Sequence, residues 1–289
     1  MNKEQHFLNI IKESFPELDI QNFSVLGNGK CSVACLVNKN IVFKISTESG
    51  TRLNDTNKEI FLLPQLESKL SFETPKLLYN KTTEKYGNII GETLVSGITY
   101  SQSLHDSFDD ETKSNILRQI GQIARELHSI KIHDDNHIIF ISDYKDNISV
   151  FHKYFSQDVQ KHLNKLDIDK INKICDRYEY LSINYPVQNV LVHADLHFGN
   201  MMFNTQTKTV TGLIDFGAAH FAEPSRDMHY YYGSGIEDFL IGYGDNGDSY
   251  LRERQQFQAM VNFLSNISDD IKQGESPEKN INKLHKHIF

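Results

Sequence analysis

The stretch His193-Ala194-Asp195-Leu196-His197-Phe198-Gly199-Asn200, with Leu213-Ile214-Asp215-Phe216-Gly217 downstream, decides the fold of this 289-residue chain. Apolar runs at residues 190–192, 201–203 and 210–214 predict three short strands around the two motifs. An Asp-Phe-Gly triplet arises by chance about once in ten thousand start positions. The alternative is that both aspartates merely form turns at strand ends. The Asp-x-x-x-x-Asn spacing upstream of the triplet favours a functional site.

These residue types suit the transfer of a phosphoryl group from a nucleoside triphosphate. Such a transfer requires neutralisation of the triphosphate and alignment of the incoming hydroxyl with the phosphorus. Asp195 is the candidate catalytic residue, because its carboxylate can accept the hydrogen bond of that hydroxyl. Asn200 and Asp215 offer a neutral and a charged oxygen, which suits Mg²⁺ bound partly by phosphates. The two motifs therefore predict Mg²⁺ as a cofactor.

The first third of the chain predicts a small sheet with one main helix. Five strand-like runs cover residues 20–26, 32–37, 41–45, 76–79 and 88–95, and the helix begins near residue 54. Lys44 lies in the third strand, where a kinase holds its phosphate-binding lysine, although an apolar-flanked lysine can also snorkel from an edge strand. Glu59 on the helix is the expected partner of Lys44, or else an ordinary surface glutamate. Pro64 is expected to end or kink this helix.

A glycine turn between the first two strands is the candidate phosphate cover. In Gly27-Asn28-Gly29-Lys30-Cys31-Ser32, the backbone N–H groups near Gly27, Gly29 and Ser32 are placed to approach the phosphates. The run is not a complete G-x-G-x-x-G, because Ser32 stands at the third glycine. An ordinary hairpin turn is the alternative.

The remainder of the chain predicts mostly helix. Apolar positions follow one stripe over residues 111–130, and helical patterns cover 144–180, with a break near 164–169, and 251–264. Residues 96–99 are interpreted as a linker, and the polar stretch 269–280 as a loose tail. We therefore predict an α+β fold with two lobes: residues 1–95 form a nucleotide-binding lobe, and residues 96–289 form a helical catalytic and acceptor-binding lobe with a short β insert.

Composition narrows the class of partner. A net charge of −8 and a pI near 5.9 argue against a general nucleic-acid binder. No apolar run approaches the ~18 residues of a membrane span, and the first residues do not resemble a secretory signal. Cys31, Cys35 and Cys175 are too few for a disulfide framework, which indicates reduced thiols. We therefore expect a cytoplasmic protein that binds neither membrane nor nucleic acid.

At these motifs the sequence resembles the aminoglycoside phosphotransferase family, within the protein-kinase-like fold. The resemblance rests on residues 192–200 and 212–217 and extends to Pro224-Ser225-Arg226-Asp227. It implies that ATP or GTP is the phosphoryl donor and that an aminoglycoside-like amino-sugar, a cationic acceptor, is the substrate, with a role in antibiotic resistance. We also expect a monomer. Ala194 departs mildly from the pattern, because a glycine commonly stands there.

The resemblance implies further roles for single residues. His193 and Asp227 would brace the catalytic loop, and the hinge from residue 92 to 95 would present Thr93 and Val95 to the nucleotide base. Glu237 and Asp238 are candidates to bind acceptor ammonium groups, with solvated helix charges as the alternative.

The same motifs also serve other kinases, so other acceptors stay open. These are macrolides, choline, homoserine, methylthioribose and fructosamine. The alternative from a different class of protein is a nucleotide-sensing pseudokinase, which acts as a binding module. The retention of lysine, both aspartates and the asparagine argues against it.

Overall fold

The computed structural model describes residues 3–28, 32–46 and 53–289. Their contacts define two compact units: Met1–Tyr100 with Ile132–Ile138 and Phe198–Ala219, and Ser101–Lys131 with Ile139–His197 and His220–Phe289. The predicted division at residue 95 assigned residues 198–219 to the second lobe. In the structure these residues pack with the first unit, because they pair with strands of that unit.

The first unit contains the expected five-stranded antiparallel sheet with one main helix. Its strands are β1 (Phe23–Asn28), β2 (Ser32–Val37), β3 (Ile41–Ser46), β4 (Leu77–Thr83) and β5 (Gly87–Thr93). They lie in the order β1-β2-β3-β5-β4. Helix α1 (Lys3–Ser14) precedes the sheet, and α2 (Leu53–Leu66) connects β3 to β4.

Strand alternation gives the sheet two different faces. Val33 and Cys35 of β2 and Phe43 of β3 are buried in an apolar cluster together with side chains of α1. The intervening residues point to the opposite face, and these include Lys44. Its position in a strand with burial alternating residue by residue therefore directs the ammonium away from the apolar core.

Pro64 was expected to end or kink helix α2; the helix does not end there but continues to Leu66. The proline lies in the last turn, where its missing N–H removes only one helical hydrogen bond. Glu67 N still donates to Leu63 O at 3.2 Å. The apolar side chains of Leu62, Leu63 and Leu66 are fully buried and hold this last turn in place.

A second, three-stranded sheet belongs to the same unit and carries the two sequence motifs. Its strands are β6 (Ile98–Thr99), β8 (Met201–Asn204) and β9 (Thr209–Leu213), in the order β6-β8-β9. The predicted linker is thus partly a strand, because Ile98 pairs with Phe203. Tyr100 is fully buried against Phe203, with ring centroids 4.7 Å apart.

The second unit is mainly helical. Its helices are α3 (Gln102–Asp106), α4 (Asp110–Ser129), α5 (Tyr144–Tyr154), α6 (Gln157–Gln160), α7 (Lys165–Asn184), α8 (Ser234–Tyr243), α9 (Leu251–Gln273) and α10 (Glu278–His287). A two-stranded antiparallel sheet pairs β7 (Val190–Val192) with β10 (His220–Ala222). The core forms around α9, where Phe257 stacks on Tyr178 with centroids 3.8 Å apart.

Helices α4 and α8 cross where each carries a glycine. A Cβ atom on Gly121 would collide with the backbone oxygen of Phe239, and one on Gly242 with that of Arg118. The two helices approach this closely because neither position has a side chain.

The polar tail is more ordered than its composition predicted. Helix α9 continues to Gln273, and α10 follows with Leu284 fully buried. Asn280 Nδ2 donates to Asp270 Oδ2 at 2.7 Å, which ties the two helices together. In the described part of the chain, no helix is both long and apolar enough to cross a membrane.

Candidate active site

A cavity of about 360 Å³ in the first unit brings most of the predicted nucleotide residues together. Five of them line it together with the two predicted Mg²⁺ ligands: Gly27, Ser32, Lys44, Thr93 and Val95, with Asn200 and Asp215. Apolar side chains of Ala34, Val42 and Met202 complete the wall, which suits a flat base at one end and charged phosphates at the other. Gly29 and Cys31, also singled out in the sequence, lie outside the described residues.

Lys44 stands at the centre of a group of three carboxylates. Its Nζ lies 2.5 Å from Glu59 Oε1, as the sequence predicted, and 3.6 Å from Asp215 Oδ1. Its distance to Glu92 Oε1 is 3.2 Å. Glu59 Oε1 also accepts the backbone N–H of Phe216 at 3.1 Å, so α2 fixes both the lysine and the Asp-Phe-Gly turn.

The electrostatics of this group are unbalanced, because one ammonium faces three carboxylates. Burial would lower the pKa of Lys44, but Glu59, Glu92 and Asp215 raise it above its ordinary value. Burial raises the pKa of Glu92 and of Glu59 despite the attraction of Lys44. Within the described residues, Glu92 Oε2 is the single buried side-chain polar atom without a hydrogen-bond partner.

Asn200 and Asp215 lie at the same end of the β8–β9 hairpin. Ile214 N donates to Asn200 O at 2.9 Å, which links the two loops directly. Asp215 adopts the left-handed backbone conformation (φ 69°), and its side chain is 55% exposed. An exposed carboxylate and an amide that line the same cavity are a suitable protein contribution to a Mg²⁺ site completed by phosphates. The described residues hold no cluster of three or more His, Cys, Asp or Glu side chains suited to a metal ion.

Asp195 belongs to the second unit, where two neighbours orient its carboxylate. Tyr230 donates its hydroxyl to Oδ1 at 2.7 Å, and His197 Nε2 lies 3.5 Å from Oδ2. Burial alone would raise the pKa of Asp195, but the hydrogen bonds from His197 and Tyr230 hold it well below its usual range. The carboxylate is therefore ionised and able to accept a hydrogen bond from an acceptor hydroxyl.

Asp227 holds the strand end that leads into Asp195. It is fully buried and accepts the backbone N–H groups of His193 at 2.8 Å and Ala194 at 2.6 Å. His128 Nε2 lies 2.9 Å from its Oδ2, and Tyr243 Oη lies 2.8 Å from His128 Nδ1. Burial would raise the pKa of Asp227, but His128 and these hydrogen bonds lower it.

The two acidic residues predicted to bind the acceptor are both paired with arginines. Arg252 Nε lies 3.1 Å from Glu237 Oε1, and Arg118 Nη2 lies 3.0 Å from Asp238 Oδ1. Ser114 donates its hydroxyl to the same Asp238 oxygen at 2.5 Å. Glu237 is the more accessible of the two, with a 64% exposed side chain.

Sequence reasoning did not assign side-chain roles to Glu92 and Tyr230. The sequence predicted only a backbone role for Glu92, in the hinge. Its strand register places it opposite Val42, on the same sheet face as Lys44. Tyr230 lies in a run of three tyrosines that carries no motif. Their roles become visible only from the paired strands and from the distance to Asp195.

The fold of the two units and the cavity with its Lys44–Glu59 pair are typical of phosphotransferases of the kinase-like class, which act on hydroxyl groups. The chain belongs to the phosphotransferase enzyme family (APH), whose sequence pattern matches residues 36–256. The predicted resemblance and fold class are therefore confirmed.

Solved structures of this class share the fold over the whole chain. The GDP and kanamycin complex of APH(2″)-IIIa matches with a TM-score of 0.82 and 21% identity, covering 97% of each chain. The macrolide 2′-phosphotransferase MphH of Brachybacterium faecium matches with a TM-score of 0.68 and 13% identity, covering 98% of each chain.

A protein kinase is also detectably similar in sequence. Over 149 residues, 50% of this chain, the identity to myosin light chain kinase 3 of Rattus norvegicus is 26%. The match spans 18% of that protein's length.

Proposed function

We propose that this chain transfers the γ-phosphoryl group of ATP or GTP to a hydroxyl of an aminoglycoside-like amino-sugar, acting as a cytoplasmic monomer in antibiotic resistance. The observation that carries the proposal is the single cavity that gathers Lys44, Asn200 and Asp215 beside the hinge residues Thr93 and Val95. Asp195, which is ionised and oriented by Tyr230, would accept the hydrogen bond of the substrate hydroxyl.

Each of these residues has a distinct task in the proposed reaction. Lys44, fixed by Glu59, pairs with phosphate oxygens of the nucleotide. Asn200 and Asp215 would hold Mg²⁺, which neutralises charge on the β- and γ-phosphates when bound. Asp195 accepts the hydrogen bond of the acceptor hydroxyl. As the new P–O bond forms and the bond to the leaving diphosphate breaks, the hydroxyl proton passes to Asp195.

Acidic residues on α8 support an acceptor that carries ammonium groups. Glu237 is exposed, so an acceptor ammonium can replace Arg252 as its partner at little cost. Several structural neighbours are complexes with such compounds, among them kanamycin and gentamicin. Their low identity to this chain limits the comparison to the fold.

The arginine pairing also favours a second candidate, a neutral or weakly charged hydroxylated acceptor. Asp238 already accepts from Arg118 and Ser114, so part of the acidic surface is neutralised within the protein. Macrolides, and metabolites such as methylthioribose, belong to this second group.

A panel of acceptors tests the proposal directly. Purified protein is incubated with ATP or GTP and millimolar Mg²⁺, and each acceptor is examined by mass spectrometry for one added phosphate. We expect Asp195→Asn to lose at least ~100-fold in turnover while nucleotide binding is retained. Asp158→Asn, an exposed aspartate paired with Lys161, serves as the matched control.

The panel also separates the alternatives. Phosphorylation of a macrolide or metabolite, with every aminoglycoside unchanged, would replace the first candidate with the second. Nucleotide binding without transfer to any acceptor would leave a binding module and refute the enzymatic proposal.

A further inference from the structure

Tyr230 reaches the candidate catalytic carboxylate from the segment that follows the turn Pro224–Met228. Its hydroxyl donates to Asp195 Oδ1 at 2.7 Å. The imidazole of His197 meets the Tyr230 ring edge-on, with centroids 5.4 Å apart. Oδ1 of Asp195 therefore has a short, well-placed donor in Tyr230, while His197 Nε2 lies 3.5 Å from Oδ2.

The segment that carries Tyr230 is held firmly. His229 is buried, its Nδ1 lies 2.6 Å from Arg226 O, and its ring lies 4.0 Å from that of Tyr230. The next residue, Tyr231, donates its hydroxyl to Leu196 O at 2.8 Å. Two adjacent tyrosines thus bind the loop of Asp195, one through the carboxylate and the other through the backbone.

We propose that Tyr230 is a positioning residue for phosphoryl transfer, which fixes the orientation of the Asp195 carboxylate toward the acceptor hydroxyl through its hydrogen bond to Oδ1. This inference rests on the proposed function, because it assumes that Asp195 accepts that hydroxyl. A carboxylate tied at one oxygen cannot rotate freely about its Cβ–Cγ bond.

The charge state of both partners agrees with this arrangement. Burial raises the pKa of Tyr230, and so does the neighbouring Asp195 carboxylate. Tyr230 is therefore a stable donor at neutral pH. Burial would raise the pKa of Asp195, but the hydrogen bonds from His197 and Tyr230 lower it, so the carboxylate remains an acceptor.

The test compares Tyr230→Phe with Tyr232→Phe, its neighbour two residues on. Tyr232 packs against Phe263, with ring centroids 4.9 Å apart, and serves as the matched control. We expect Tyr230→Phe to lower kcat about 10- to 100-fold, as for loss of a hydrogen bond to a charged group. The nucleotide KM stays unchanged, and the Asp195 Cγ resonance in a ¹³C NMR spectrum shifts.

Three results would overturn the inference. The first is a Tyr230→Phe enzyme with wild-type kcat and an unmoved Asp195 resonance. The second is an equal loss of kcat in Tyr232→Phe, which would indicate general damage to the segment. The third is a wild-type protein that phosphorylates no acceptor, which refutes the proposed function as well. In the first two cases the wild-type enzyme still phosphorylates its acceptor, so the proposed function survives.

Discussion

His128 Nε2 lies 2.9 Å from Asp227 Oδ2, although 99 positions separate the two residues in the chain. Because a carboxylate can only accept, the imidazole donates through Nε2. In the neutral ring, Nδ1 is then free to accept the hydroxyl of Tyr243. Helix α4 thereby supports, through one buried carboxylate, the backbone that leads into Asp195.

Asp227→Asn should destabilise the protein strongly. The amide retains the shape but loses the charge, and its NH₂ group faces donors instead of acceptors. We expect the free energy of unfolding to fall by about 3 kcal/mol, as when one partner is removed from a buried pair. Urea denaturation measures this, with Asp158→Asn as the exposed control. An unchanged midpoint would show that Asp227 does not brace the loop.

The same carboxylate predicts the direction of acid sensitivity. Its pKa is depressed in the folded protein, so its stabilising contribution is present above the unfolded value near 3.9. That contribution is lost as the pH falls from the unfolded pKa through the lower pKa of Asp227 in the folded protein. Denaturation curves of the wild type and Asp227→Asn should therefore converge toward low pH.

Glu92→Gln should have the opposite effect on stability. The pKa of Glu92 is raised in the folded state, so the folded protein favours its protonated form. The contribution of Glu92 to the free energy of unfolding is largest below the unfolded pKa of about 4.3, and it is lost as the pH rises toward the folded pKa. We therefore expect Glu92→Gln to gain stability over the wild type as pH rises from about 4 to 7.

Denaturation of nucleotide-free protein at several pH values measures this difference. Glu84→Gln, at an exposed position between β4 and β5, is the matched control and should follow the wild type. A Glu92→Gln difference that does not vary with pH would contradict the assigned direction of the pKa shift.

Ala194→Gly should stabilise the loop that precedes Asp195. Ala194 has φ 65°, a left-handed conformation that costs an L-residue energy and costs glycine little. After the entropy of the unfolded glycine is subtracted, a gain of about 0.5 kcal/mol remains. Differential scanning calorimetry measures it. Ala124→Gly in the regular helix α4 should have the opposite sign, and a loss at both positions would refute the strain argument.

Asp215→Asn should remove the metal dependence of nucleotide binding. The neutral amide is a poorer Mg²⁺ ligand than the carboxylate. In a thermal-shift titration, we expect the extra stabilisation given by ATP or GTP with Mg²⁺ to disappear, while the metal-free shift remains. Asp19→Asn, an exposed aspartate of the same unit, should retain both shifts. A metal-dependent shift that survives Asp215→Asn would place the ion elsewhere.

Most of the fold could be predicted from the sequence because its local patterns are strong. Strand Ser32–Val37 has the predicted bounds, because clean alternation between two turns leaves little freedom at its ends. Lys44 and Glu59 meet as expected, because a lysine in a strand and a glutamate on the following helix point to the same face. Both features depend on residues close together in the chain.

The features that were missed depend on distant contacts or on weak patterns. Tyr230 meets Asp195 across 35 positions, and no spacing rule connects them. The stretch 269–280 was interpreted as a loose tail because its composition is polar, yet it contains the end of helix α9 and the start of helix α10. In and just after α10, the apolar residues Ile281, Leu284 and Ile288 recur at helical spacing and pack in the core of the second unit.

The close crossing of α4 and α8 has a consequence for how this protein can evolve. Gly121 and Gly242 leave no room for a side chain, so substitution of either glycine is excluded. Glu237 and Ile241 on the outer side of α8 are exposed and can be exchanged without disturbing that contact. If α8 contacts the acceptor as proposed, substitution on the outside of this one helix changes the acceptor while the packing of α4 against α8 stays the same.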